Sequence, residues 1–198
     1  NINKILLGRT RASVAIQKGC NQICSYCIVP KVRGREKSIQ PEEIIQRISY
    51  LESRGCKEVV LTGTQLGTYG YDLEDINLTN LLKKILDKTN IERLRLSSVQ
   101  PHEFNEELLM LWEEKKYKSR LCPHFHIPLQ SGSDAILKTM RRKYTTQDFA
   151  EIVSVIRNKL ENSSITTDLI VGFPGETDKD HIDTKKLLGK LNISDIHV

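Results

Sequence analysis

Ser13-Val14-Ala15-Ile16-Gln17-Lys18-Gly19-Cys20-Asn21-Gln22-Ile23-Cys24-Ser25-Tyr26-Cys27 joins a short strand-like run to three cysteines within eight residues. Ser13 to Ile16 reads as a first strand. Outward from it, short β-branched runs alternate with amphipathic helical segments. Strands are predicted at Val59–Thr62, Arg93–Ser97, His124–Leu129, Ile165–Val171 and Ile193–Val198. Helices are predicted at about Pro41–Arg54, Leu78–Lys88, Glu106–Lys116, Asp134–Met140, Thr146–Leu160 and Asp178–Leu191. Pro41 suits a first helical position, Glu42 and Glu43 suit the positive helix end, and Gly55 can stop that helix. Asn105, Thr145 with Asp148, and Thr177 read as N-caps. This alternation predicts an α/β protein with a parallel sheet covered by helices. A doubly wound sheet satisfies the pattern. A parallel partial (β/α)6-type barrel fits better, because the chemistry-bearing residues follow strands, at their C-terminal ends.

Composition sets the outer bounds. The 198 residues are 38% hydrophobic and 28% charged, which is ordinary for a globular chain. No run approaches the roughly 18 apolar residues of a membrane span, and Asn1–Gly8 lacks the features of a secretory signal. Five cysteines, an odd number with three in one loop, make a poor disulfide framework; they indicate a reducing cytosol where thiols serve metals or catalysis. The net charge of +5 permits an anionic partner such as RNA. The chain lacks an initiator Met and stops inside its sixth predicted strand, short of the about 250 residues of a full eightfold barrel. A fragment is therefore expected, with residues 1–12 a linker from a preceding domain and residues 13–198 the partial barrel.

The cysteine spacing is C-x3-C-x2-C. Three thiolates in one tight loop can ligate three irons of a cubane and leave the fourth iron open. Zinc is the alternative, although a structural zinc site normally brings a second ligand pair close by. Three unrelated packing cysteines are another. A ferredoxin-like electron carrier would want a fourth cysteine at short spacing, and none follows Cys27. A zinc-bearing RNA-binding module would need Cys122 or a histidine as its fourth ligand. Cys56 reads as a buried small hydrophobe. Cys122, His124 and His126 alternate along a predicted strand and so share one face, either as inward packing or as a metal site.

Further motifs extend the pattern: Arg9-Thr10-Arg11-Ala12, Ile16 to Asn21, Pro30, Arg33-Gly34, Leu61-Thr62-Gly63, Leu96-Ser97-Ser98, His126 to Ser133, Met140 to Tyr144 and Asp168 to Thr177. In this order they resemble the radical S-adenosylmethionine (SAM) methylthiotransferases, from about Arg9 to Val198. The loop Leu61 to Gly70 looks most like the branch acting on threonylcarbamoyladenosine at tRNA position 37. The isopentenyladenosine and ribosomal-protein branches usually differ there.

The resemblance implies a [4Fe-4S] cluster on Cys20, Cys24 and Cys27, with SAM chelating the open iron. Reductive cleavage of SAM, hydrogen abstraction, sulfur insertion and methylation would then yield a methylthio group at C2 of the adenosine. It implies that Tyr26 lies against the adenine, that Gly63 admits the SAM amino group, and that Ser98, Gln130 and Asp168 bind ribose or carboxylate. Arg142 would pair with the SAM carboxylate, and Val171 would open the turn beneath the adenine. Lys31, Arg33, Arg35 and Lys37 would meet tRNA phosphates. Gly67, Tyr69 and Gly70 would shape the target-base pocket, with Tyr69 stacking. Expected partners are the tRNA anticodon loop, a reductase or flavodoxin-type electron donor, and a sulfur donor. Family members also carry an N-terminal domain with a second cluster and a C-terminal RNA-binding domain. Neither is in this chain, so one cluster and SAM are expected here, and not the whole reaction.

Overall fold

A computed structural model describes residues 10–198. The elements in chain order are β1 (Arg11–Ala15), β2 (Gln17–Lys18), α1 (Val29–Val32), β3 (Lys37–Ser38), α2 (Pro41–Ser53), β4 (Glu58–Thr62), α3 (Leu78–Lys88), β5 (Arg93–Leu96), α4 (Glu106–Met110), β6 (His124–His126), α5 (Asp134–Thr139), α6 (Thr146–Lys159), β7 (Ser164–Asp168), α7 (Asp178–Leu191) and β8 (Asp195–His197). Among these residues no helix is long and apolar enough to cross a membrane.

Strand β4 lies between β1 and β5, and β7 lies between β6 and β8, all parallel. Parallel bridges Leu94–Leu121 and Ser98–His126 join the two groups. The strands therefore follow one another in space as in sequence, β1-β4-β5-β6-β7-β8. A doubly wound sheet would reverse direction part-way; this sheet does not. The fold is the expected parallel partial barrel, and no closure is seen among the described residues.

Helices form where local chemistry favours them. Pro41 opens α2, Glu42 and Glu43 occupy its first turn, and Ile44, Ile48 and Leu51 are buried, a stripe at helical spacing. Asn105, Thr145 and Thr177 cap α4, α6 and α7 as expected, the last two in reciprocal boxes with Asp148 and Asp180. Asn77 caps α3 by accepting from the Asn80 amide at 2.8 Å. Val59, Leu61, Leu94, Phe125 and Ile165 bring the strands into one core with the buried faces of α2, α3 and α6.

Several expectations are corrected. Residues 1–9 of the proposed linker lie outside the described residues, but Arg11 and Ala12 belong to β1, in register with Glu58 and Val59. Helix α4 ends at Met110 rather than Lys116. Leu111 and Trp112 are both buried, and the Trp112 indole donates to the Cys122 carbonyl at 2.9 Å, so tertiary packing overrides continuation. Strand β6 stops at His126, two residues before Pro128, which has no N–H to donate. Strand β7 stops at Asp168. The β2–β3 ribbon, which pairs Gln17 with Ser38 and Lys18 with Lys37, was not anticipated.

Candidate active site

The ribbon ties together the base of the cysteine loop. Gly19 has φ +69°, and a Cβ there would lie 2.1 Å from the Arg35 carbonyl oxygen, so only glycine fits. The Cys20 amide donates to the Gly34 carbonyl at 3.2 Å, and the Glu36 amide donates to Asn21 Oδ1 at 3.3 Å. At its far end the loop docks on the C-terminus of α5. The Ser25 amide bonds the Met140 carbonyl at 3.1 Å, and its hydroxyl bonds the Thr139 carbonyl at 2.9 Å. Cys20, Cys24 and Cys27 are all free and partly exposed.

The polar residues expected at the site follow the C-terminal strand ends. Gly63 comes directly after β4, in an open hollow of about 510 Å³ shared with Gln17, Lys18, Arg33 and Thr64. A Cβ on Gly63 would meet Leu66 Cδ1 at 2.9 Å and Gln17 Oε1 at 3.1 Å. Ser98 follows β5 and bridges to His126. Gln130 has φ +69°; its amide donates to the Asp168 carbonyl at 2.8 Å and its carbonyl accepts from Ile170 at 2.9 Å. Asp168 ends β7. It accepts from His126 Nε2 at 2.9 Å and lies 3.3 Å from His197 Nδ1, and its carboxyl is held below the usual range first by the His126 bond, against the effect of burial. Val171 is exposed. In the turn after it, the Glu176 carboxylate accepts from the Gly172 and Phe173 amides.

Tyr26 and Arg142 bring the cysteine loop against two other loops. The Tyr26 ring meets Phe173 edge-on at 6.3 Å, and burial pushes its phenol up to about 12. Arg142 donates to Tyr144, Cys24, Tyr26 and Gln100. Arg141, at φ +59°, turns the chain just before it.

Other expected residues stand apart. Tyr69 is 2% exposed and its hydroxyl donates to the Ile39 carbonyl at 2.7 Å, so it cannot stack on a target base. Gly67 and Gly70 serve packing: a Cβ would lie 2.3 Å from Glu103 Cβ at the first and 2.0 Å from the Ile76 carbonyl oxygen at the second. Cys56 is buried, bonded to the Thr10 and Glu58 carbonyls, as expected of a packing residue. Cys122 is buried near Arg95 and Arg93, whereas His126 bonds Thr166 and Asp168; the three alternating residues do not gather. Among the described residues the trio whose ligating atoms lie within 4.8 Å is instead His126, Asp168 and His197.

Sequence reasoning missed Gln17, Gln65 and Glu103. Gln17 Oε1 accepts from the Thr64 and Gln65 amides at 2.9 and 3.1 Å. Cys20 Sγ lies 3.3 Å from Gln65 Oε1, and Gln65 Nε2 donates to Glu103 at 3.0 Å, whose carboxyl is pushed up by burial. The signal available was a polar residue at an inward position next to a cysteine loop.

With this geometry in view, sequence comparison is decisive: the profile of the radical SAM superfamily matches residues 14–188. This chain belongs to the radical SAM superfamily. Its similarity to a tRNA-2-methylthio-N(6)-dimethylallyladenosine synthase of Thermoanaerobacter is 43% identity over 182 residues, covering 91% of this chain and 38% of the relative. For the threonylcarbamoyladenosine tRNA methylthiotransferase MtaB of Bacillus subtilis it is 39% over 191 residues, covering 96% and 42%. The chain thus spans about two fifths of the curated relatives it matches. The radical SAM methyltransferase TsrM of Kitasatospora setae superposes with a TM-score of 0.74 at 19% identity, over 94% of this chain and 35% of that one, a likeness of fold.

The cysteine loop fits a radical SAM cluster on its own chemistry. Three free thiols share one loop; burial first raises the proton affinity of Cys20, and Cys24 and Cys27 add to it. The Gln22 amide donates to Cys20 Sγ at 3.3 Å, and N–H donors of this kind stabilise cluster sulfur. The Gln22 side chain lies against Cys24, with Oε1 3.8 Å from Sγ, while its buried Nε2 has no partner. A donor left unmet beside thiols suits an anionic group.

Proposed function

We propose that this chain is the radical SAM core of a tRNA methylthiotransferase, acting in the cytoplasm on C2 of N6-threonylcarbamoyladenosine at position 37. The observation that carries the reading is the C-x3-C-x2-C loop, fastened at both ends and set at the C-terminal rim of a parallel partial barrel. The similarity to tRNA methylthiotransferases over more than nine tenths of the chain supports tRNA as the substrate. The loop Leu61 to Gly70 supports the threonylcarbamoyl branch. Identity of 43% to a dimethylallyladenosine enzyme supports isopentenyladenosine-37 as the second reading.

Cys20, Cys24 and Cys27 would hold a [4Fe-4S] cluster, which together with SAM supplies one-electron cleavage of the sulfonium and hydrogen abstraction from the target. Gly63, Ser98, Gln130, Asp168 and Val171 line the strand ends where the nucleotide would lie, and Tyr26 is the aromatic that would flank its adenine. Gln17 holds the Thr64 and Gln65 amides in place, so the loop after β4 is shaped before ligand arrives. A flavodoxin-type donor and a sulfur donor complete the proposed reaction.

Three measurements test this. Cys24→Ala should abolish the brown chromophore and SAM cleavage after anaerobic reconstitution; persistent cleavage would overturn the ligand assignment. Zinc without iron or labile sulfide in the wild type would favour a non-catalytic RNA-binding module. Mass spectrometry of tRNA nucleosides from a deletion strain assigns the branch. Loss of methylthio-threonylcarbamoyladenosine supports it, and an unchanged level with loss of methylthio-isopentenyladenosine favours the second reading.

A further inference from the structure

We infer that Arg142 is a positioning residue for the cluster itself: its guanidinium, held on Cys24 Sγ, raises the cluster's reduction potential. This rests on the cluster reading above. Nη1 lies 3.4 Å from Cys24 Sγ and 3.3 Å from the Tyr26 hydroxyl. Nε donates to the Tyr144 hydroxyl at 2.9 Å, and Nη2 donates to Gln100 Oε1 at 3.0 Å. A guanidinium has five N–H donors, and these contacts engage four of them. Its carbon also sits 4.7 Å from the centre of the Tyr144 ring, and Tyr144 is anchored in turn by its hydroxyl to the Pro128 carbonyl at 2.6 Å. The cation is therefore fixed from three sides before any nucleotide is present. With one donor left, pairing with the SAM carboxylate is the smaller part of what it can do.

The electrostatics follow from this placement. Reduction adds a negative charge to the cluster. Hydrogen bonds to ligand sulfurs and nearby positive charge stabilise the reduced form and raise the potential. A half-buried guanidinium on a ligating sulfur supplies both, where water screens it less than at the surface. The docking of Ser25 on the end of α5 keeps Cys24 beside the turn that carries Arg142.

The test is potentiometric titration of the full-length, anaerobically reconstituted protein, followed by EPR of the reduced state. Any additional cluster in the whole protein serves as an internal control. Arg142→Gln should lower the reduced-to-oxidised ratio at a fixed potential about tenfold, equivalent to about 59 mV for one electron. Arg142→Lys, which keeps the charge, should recover part of the shift. Tyr144→Phe, which removes one anchor, should shift it less in the same direction. If all three assemble the cluster at the wild-type potential, the inference fails. It also fails if SAM binding weakens at unchanged potential, because the guanidinium then serves the nucleotide. Absence of iron and sulfide in the wild type would instead overturn the underlying cluster reading.

Discussion

Asp168 and His126 meet at 2.9 Å, Oδ2 to Nε2, across the ends of two neighbouring parallel strands. The bond holds the Asp168 carboxyl below the ordinary carboxylate value, with His197 adding to it. A depressed carboxylate stabilises the fold above its unfolded value of about 3.9, and that contribution is lost as pH falls through the folded value. Asp168→Asn should therefore destabilise at pH 7, and its deficit against wild type should shrink below about pH 4. Urea unfolding at several pH values measures this. A deficit that does not change with pH would show that ionisation of Asp168 contributes nothing.

Gln17 Oε1 accepts from both the Thr64 and Gln65 amides, and Gln17 is 2% exposed. Leaving a buried donor unmet costs about 1–3 kcal/mol. Gln17→Met keeps the volume and removes the amide, so a loss of about 2–6 kcal/mol is expected for the two donors. Chemical denaturation measures it, and hydrogen exchange at Thr64 and Gln65 should accelerate along with it. Unchanged exchange there would count against the clamp.

What could be read from sequence was local. The caps at Asn105, Thr145 and Thr177 depend on side chains within three residues of the helix start, and the cysteine spacing lies within one loop. What could not be read was non-local. The β2–β3 ribbon is only two residue pairs long and pairs across the whole cysteine loop. Gln65 meets Gln17 and Cys20 across more than forty residues, and Asp168 finds His197 only because β8 lies beside β7. Tyr69, an aromatic among glycines, reads as an exposed stacking ring. Its ring turns inward instead, its hydroxyl bonded to Ile39 and the chain reversing at Gly70, φ +92°.

That burial makes Tyr69 a test of the corrected site. Tyr69→Phe removes one buried hydroxyl and leaves the Ile39 carbonyl without it, a loss of about 1 kcal/mol. The midpoint of thermal unfolding should fall, while affinity for an anticodon stem-loop RNA should stay at the wild-type value. A drop in RNA affinity at unchanged stability would return Tyr69 to the target pocket.

Lys18, Arg33, Arg35 and Lys37 line an open groove of about 710 Å³ beside the cysteine loop. All four are exposed. By contrast Lys83 is paired with Glu107 at 3.5 Å. Each cation that meets an RNA phosphate releases counterions, so its removal should flatten the dependence of log affinity on log salt by about 0.7–0.9. Single charge-removing variants at the four positions should each reduce the slope, measured by filter binding of the stem-loop across a potassium chloride series, and Lys83→Gln should not. Equal slopes for all five proteins would place the RNA backbone elsewhere. A loss confined to reduction by an acidic flavoprotein, with RNA binding intact, would make this groove the electron donor's dock.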